Sequence, residues 1–211
     1  MNLKFLFCFV SLSISMFAYG QDARAILDKA SETYNKSGGI TAQFTLDVRD
    51  VRNKTTYSYD GNIKMKGNSY RMEIPEGITW FDGETQWVYM SDSEEVTINT
   101  PDENELGGVS PAALFNVYKT GYDLKYKGMK IVANRSVLEV EMTPIKKSDF
   151  SKIIILLDKT TNLFSKITVV DKSGLENIIS IRNMKTGVDL PDSVFSFPKD
   201  EYPEAEVIDL R

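Results

Sequence analysis

The sequence predicts a mainly β (α+β) domain built on one large antiparallel sheet. Three observations predict it. From Phe44 onward, apolar and polar side chains alternate with a period of two. Turn-forming residues interrupt this pattern every eight to twelve positions. Only two segments carry helical periodicity, too few for a parallel sheet with crossover helices.

Each element follows from its own residues. Asp22 to Lys36 reads as a helix: Asp22 can cap it, and Ala23, Ile26, Leu27, Ala30 and Tyr34 form an apolar stripe. Ser37-Gly38-Gly39 stops it. AQFTLDV then places Phe44, Leu46 and Val48 on one face. YSYDGNIKMK places Tyr57, Tyr59, Ile63 and Met65 together, and YRMEI continues with Tyr70, Met72 and Ile74. Lys66-Gly67-Asn68-Ser69 makes the turn between these last two strands. GITWF and TQWVYM flank Asp82-Gly83, a dipeptide suited to hairpin turns. EVTIN is a further strand, followed by a polar loop from Pro101 to Gly108. Ser110 to Tyr118 is a second, short helical segment, with Ser110 as cap and Pro111 in the first turn. Its apolar side chains suit either a plug at the end of a sheet or a movable lid. Strands resume with YDLKYKG, MKIVA, SVLEVEMTP, FSKIIILLD, LFSKITVVD and LENIISIRNM, the first two joined by a turn at Lys127-Gly128. Phe195 and Phe197 are expected to tuck against the end of the sheet.

A sheet of about ten strands twists and tends to curl. Two helices are little cover for its concave face, so either side chains fill the inside or an apolar cavity remains. Four tyrosines, Tyr57, Tyr59, Tyr70 and Tyr89, suit amphipathic walls, and Met65, Met72 and Met90 give adaptable surface.

Met1 to Gly20 is expected to be a secretory signal: Lys4, an apolar run from Phe5 to Phe17, and the small-x-small site Ala18-Tyr19-Gly20. The expected organisation is signal 1–20 and a single domain 21–211. The only cysteine, Cys8, lies within the signal and is not preceded by the small residues of a lipoprotein cleavage site. The 211-residue chain has 25 basic and 30 acidic residues; the signal takes away Lys4 alone. No basic block stands out, which counts against nucleic-acid binding and simple electrostatic docking to anionic lipid. Histidine is absent altogether. Histidine- and cysteine-based catalysis and the commonest zinc ligands are therefore unavailable, and no phosphate-binding glycine loop or nucleophile elbow occurs. A catalyst would have to work with carboxylates alone.

The order of motifs resembles the periplasmic outer-membrane lipoprotein carrier (LolA-like) family. The similarity runs through ITAQFTLDV and YDGNIKMKGNSYRMEI. It continues in DGETQWVYM, with Asp82, Gly83, Thr85, Trp87 and Tyr89, and in PAALF at Pro111 to Phe115. It extends through LEVEMTP and IIILLDKTTNLFSKITVVDKSG to VFSFPKDEYPEAEVID, with Phe195, Phe197, Pro198, Val207 and Asp209. The resemblance implies an incomplete antiparallel β-barrel, a strongly curved sheet, with an α-helical lid over an apolar cavity. It implies a soluble, monomeric periplasmic chaperone, not an enzyme, with no metal or cofactor. Such a protein accepts acylated lipoproteins released by an inner-membrane ABC-type complex and passes them to an outer-membrane acceptor. The acyl-chain cavity would be lined by Phe44, Leu46, Tyr59, Ile63, Met65, Tyr70, Met72, Trp80, Trp87, Tyr89, Ile98, Leu114 and Phe115. GITWF leaves Trp80 and Phe81 competing for the inward parity; Trp80 is assigned to it.

One motif departs from the family. Lys66 is followed by Gly67-Asn68, so the basic residue and proline that many members carry at this hairpin are missing, and Lys66 and Arg71 are the nearby cations. A second reading is a lipid-sensing regulatory module, resembling the domain that controls envelope-stress proteases; such proteins usually add a second domain. A carboxylate-only hydrolase ranks last, because the acidic residues fall on the wet parity or in turns.

Overall fold

The computed structural model describes residues 18–101 and 116–211, with side chains from Ala23 onward. Helix α1 (Ala18–Lys36) is followed by strands β1 (Gly39–Asp50), β2 (Thr55–Lys66), β3 (Ser69–Ile74), β4 (Gly77–Phe81), β5 (Gln86–Met90) and β6 (Glu95–Asn99). A 3-10 turn at Val117–Lys119 leads into β7 (Tyr122–Val132), β8 (Arg135–Pro144), β9 (Phe150–Asp158), β10 (Phe164–Asp171) and β11 (Leu175–Val188). Two further 3-10 turns, Asp192–Phe195 and Lys199–Glu201, precede β12 (Glu206–Asp209).

The twelve strands form one sheet in the order β12-β6-β5-β4-β3-β2-β1-β11-β10-β9-β8-β7. β7 and β12 are its free edges, so the sheet is open. Ten of its eleven pairings are antiparallel. The exception is β12, which runs parallel to β6. The expectation of an antiparallel sheet therefore holds from β1 to β11 and fails at the last strand, which arrives by a long connection rather than a hairpin. A second expectation also fails. Lys127-Gly128 makes no turn: β7 is one strand, and Gly128 at φ 106° forms a bulge where the register with β8 shifts.

Register divides the sheet into two faces. Ile40, Ala42, Phe44, Leu46 and Val48 of β1 stand opposite Met65, Ile63, Gly61, Tyr59 and Tyr57 of β2. The same face continues through Tyr70 and Met72 to Phe81 and Thr79 in one direction. In the other it continues through Ile181, Ile179, Ile167, Ile155, Val140 and Tyr126. This is the inner face. One hydrophobic cluster joins its two halves with Ala23, Leu27, Ala30 and Tyr34 of α1. Residues spaced four, three and four apart fall on one side of a helix. Phe44 lies over Gly61 so closely that a Cβ there would stand 2.3 Å from its Cζ, which fixes glycine at that site.

α1 bridges the opening between sheet halves. The Tyr34 hydroxyl donates to the Gly67 carbonyl in the β2–β3 turn at 2.7 Å. The Tyr118 hydroxyl, just before edge strand β7, donates to Asp28 Oδ1 at 2.5 Å. Burial pushes the Tyr34 phenol up to about 12. Burial and, after it, the hydrogen bond to the Asp28 carboxylate push Tyr118 up to about 12 as well. A phenol raised in the folded state stabilises fully below its ordinary value of 10 and loses that contribution as pH climbs towards 12. Urea unfolding midpoints should thus fall between pH 10 and 12, and the Tyr34→Phe/Tyr118→Phe double variant should show a flatter profile over that window.

Candidate functional site: the inner apolar face

The inner face is the candidate ligand surface. Its ionisable carboxylates and amines are confined to strand ends: among the described residues of the sheet, Asp50, Glu95, Asp171 and Glu206 are the Asp, Glu, Lys or Arg residues that share its parity. Its centre is aliphatic and aromatic, with polar but uncharged Gln86, Thr79 and Asn177. Tyr70 is buried, and its hydroxyl accepts a hydrogen bond from Gln86 Nε2 at 2.7 Å. Burial raises the Tyr70 phenol, so it stays neutral.

Cover over this face is uneven. Ile40, Met65, Tyr70, Ile155, Leu157 and Phe164 are buried in the cluster that α1 joins. Towards the β1–β2 turn the same face opens: Leu46, Val48 and Tyr59 are half-buried and Tyr57 is exposed. The opening is a corner, not a whole end: on the same cross-strand row as Val48, Ile153 and Met142 in the other half of the sheet are buried in the cluster with α1.

The thirteen residues expected to line a cavity separate into three groups. Phe44, Leu46, Tyr59, Ile63, Met65, Tyr70 and Met72 all share the inner parity. Leu114 and Phe115, with most of the expected helix Ser110–Tyr118, lie outside the described residues. Trp80, Trp87, Tyr89 and Ile98 are on the other face. Trp80 pairs with Trp87 across β4–β5, and Trp87 with Ile98 across β5–β6. The inward aromatic of β4 is Phe81, opposite Tyr70 with ring centroids 5.4 Å apart. The physical reason lies in the tail. The segment around Phe195, Phe197 and Tyr202 packs across the outer face, giving that side of β3–β5 a core of its own.

The aromatic contacts make this explicit. Trp80 is buried, with the Phe197 and Tyr202 rings edge-on at 5.5 and 5.8 Å. Tyr202 also meets Tyr89 at 4.7 Å. Phe195 is buried in the 3-10 turn that contacts β3 and β4. The tail therefore covers a sheet face rather than the end of the sheet.

Lys66 and Arg71 belong to this outer side. Lys66 Nζ donates to the Leu190 carbonyl and pairs with Asp192 Oδ1, both at 2.9 Å. Arg71 pairs with Glu73 at 2.9 Å and stands 5.6 Å from the Trp80 ring centroid. Both cations hold the tail and its aromatic layer. A cavity of about 550 Å³ lies between β2, β1 and β11, where the β1–β11 register shifts. Its lining is mixed, with Gln43, Asn62, Lys64, Glu73 and Lys185 beside Ala42, Ile63 and Met184.

The family model described as outer membrane lipoprotein carrier protein LolA matches residues 14–169, most of the chain, and the chain belongs to that family. That description is of a carrier rather than an enzyme. An outer-membrane lipoprotein carrier protein of Neisseria gonorrhoeae is 26% identical over 196 residues, covering 91% of this chain and 92% of its own. Its counterpart in Neisseria meningitidis is 25% identical over the same span. An uncharacterised conserved protein of Thermus thermophilus shares the fold with a TM-score of 0.63 at 14% identity, covering 90% of this chain and 99% of its own. LprF of Mycobacterium bovis gives a TM-score of 0.50 at 10% identity, covering 85% and 98%.

Two faces with separate cores should respond separately to mutation. Trp80→Ala should destabilise the protein by about 3–5 kcal/mol in urea unfolding. The fraction that remains folded should bind an acyl-chain probe as tightly as wild type, read by titration with a fluorescent fatty acid.

Proposed function

We propose that the protein is an exported lipoprotein carrier that holds acyl chains against the open corner of its inner face. The observation that carries this reading is an apolar face, charged only at strand ends, continuous across β1–β4 and β7–β11, whose corner at the β1–β2 turn lies outside the cluster that α1 joins. Membership of the carrier family supports it. In this reading residues 1–20 are a signal removed on export, residues 21–211 form the mature single domain, and the compartment is the periplasm. Among the described residues no helix is long and apolar enough to cross a membrane. The donor is an inner-membrane ABC-type releasing complex, and the acceptor lies at the outer membrane. The protein acts as a monomer and without catalysis.

The energetics favour a half-open face. Acyl burial contributes ~0.8 kcal/mol per CH₂. Two or three long chains held at full value would not leave on a useful timescale. Where α1 already covers the face, loading must displace protein contacts, and this offsets part of the gain. Where Leu46, Val48 and Tyr59 stand half-buried, chains gain surface without displacing α1. Leu114 and Phe115 complete the cover as part of an apolar lid in this proposal.

The test is take-up of triacylated lipoprotein from inner-membrane vesicles, with intact-complex mass spectrometry as readout. Wild type should emerge with lipoprotein bound. Leu46→Glu and Ile63→Glu should each lower loading by roughly tenfold or more, since a carboxylate among acyl chains costs more than ~1.4 kcal/mol. Phe115→Glu should do the same if the lid closes on cargo. Normal loading by Leu46→Glu and Ile63→Glu, with unchanged circular dichroism, would remove the inner face from the function.

A further inference from the structure

The hairpin at the free edge of the sheet has a feature that carrying acyl chains does not require. β7 and β8 are joined through Ala133 and Asn134, both at positive φ, 47° and 61°. Pairing with β9 ends at Val137 opposite Asp158, so the tip beyond Ser136 projects as a two-stranded ribbon. At this tip Met129 is 53% exposed, Ile131 76% and Val132 37%. Three large apolar side chains within four residues of a protruding turn are costly in water unless something covers them.

The charges behind the tip say what that something is. Between Lys125 and Arg135 the chain has four cations, Lys125, Lys127, Lys130 and Arg135, and no acid. Lys159 reaches the tip as well, its Nζ lying 3.7 Å from Met129 Sδ. Acidic partners are present but recessed. Glu141, Glu139 and Asp158 pair with Lys127, Lys130 and Arg135, and their side chains are 12–20% exposed against 39–74% for the cations. The surface presented outward is therefore positive, on a chain whose net charge is −5. Sequence composition hides this, because the neutralising carboxylates lie on β8 and β9, beneath the cations of the hairpin.

We propose that the β7–β8 hairpin tip docks on an anionic lipid bilayer, with Met129, Ile131 and Val132 entering the interface and the lysines meeting lipid phosphates. The dimensions suit it. Three residues of strand rise reach about 10 Å, matching the ~5–10 Å at which interfacial apolar groups settle. Lys127 and Lys130 follow at the level of the headgroups, where long basic side chains keep their charge in water. Met129 and Ile131, opposite Leu138 and Ser136, carry the inner parity at the edge strand, but they lie at the opposite strand end from Leu46, Val48 and Tyr59, so docking at the tip leaves that corner free for cargo.

The experiment is flotation of the protein, purified in the form its own host accumulates, with vesicles of phosphatidylcholine alone or mixed 7:3 with phosphatidylglycerol. Wild type should float with the anionic vesicles, hardly with the neutral ones, and at least fivefold less at high salt. Met129→Asp/Ile131→Asp should lose binding roughly tenfold or more, and Lys127→Glu/Lys130→Glu should lose it to a similar degree. Urea midpoints within error of wild type would show that both variants fold. Ile63→Glu should still float, which separates docking at the tip from extraction of lipid into the inner face. Absence of wild-type binding to anionic vesicles would overturn the proposal. So would binding that Ile63→Glu abolishes and the tip variants spare. A wild-type dimer in sedimentation that Met129→Asp/Ile131→Asp dissociates, with vesicle binding unchanged, would assign the tip to a second copy of the chain instead.

Discussion

Two tyrosine hydroxyls anchor the helix on which the rest of the architecture depends. Tyr34 ties α1 to the β2–β3 turn, and Tyr118 ties it to the segment entering β7. A twelve-stranded sheet that twists without closing leaves two free edges and one large concave face. α1 spans the distance between its halves and supplies Ala23, Leu27, Ala30 and Tyr34 to the shared core. The helix thus stands in for the strand pairing that would close a barrel. Because it covers only part of the face, the remainder stays apolar and accessible.

The outer face solves a different problem. An antiparallel sheet can leave one face in water, and β7–β9 present lysine–glutamate pairs there. β3–β6 do not. There Trp80, Trp87 and Tyr89 are too large and too apolar to be left wet, and the tail folds back to bury them before β12 pairs with β6. Lys66 and Arg71 secure the tail through Asp192, the Leu190 carbonyl and the Trp80 ring. The protein therefore has two apolar cores on opposite sides of one sheet. One is sealed by its own C-terminus; the other is part-sealed by its N-terminal helix.

This division explains what was legible in the sequence and what was not. β4, β6 and β9 have the bounds that alternation and turn residues indicate, because each is a short run between clear breakers. The α1 stripe is equally direct. The inner parity of β1–β3 reads correctly because Phe44, Leu46, Ile63, Met65, Tyr70 and Met72 alternate with charged or polar neighbours. At β4 and β5 that contrast vanishes. Trp80 and Phe81 are both apolar, as are Trp87, Val88 and Tyr89, so local pattern cannot decide which side is inward. The deciding partners, Phe197 and Tyr202, are more than a hundred residues away. β12 is invisible for a related reason: its parallel pairing comes after a long connection and leaves no hairpin signal. Gly128 misleads because a positive-φ glycine serves a bulge as well as a turn.

The central claim is that acyl chains meet the inner face of β1–β3 and not the aromatic layer on the outer face of β4–β6. Site-specific photocrosslinking tests it directly, with a benzophenone amino acid placed singly at Leu46, Tyr59, Trp87 or Tyr89 and lipoprotein bearing radiolabelled acyl chains as cargo. The account predicts strong acyl crosslinks from positions 46 and 59 and none above background from 87 and 89. Crosslinks concentrated at 87 and 89 would contradict it and would make the aromatic layer beneath the tail, rather than the half-open inner face, the binding surface.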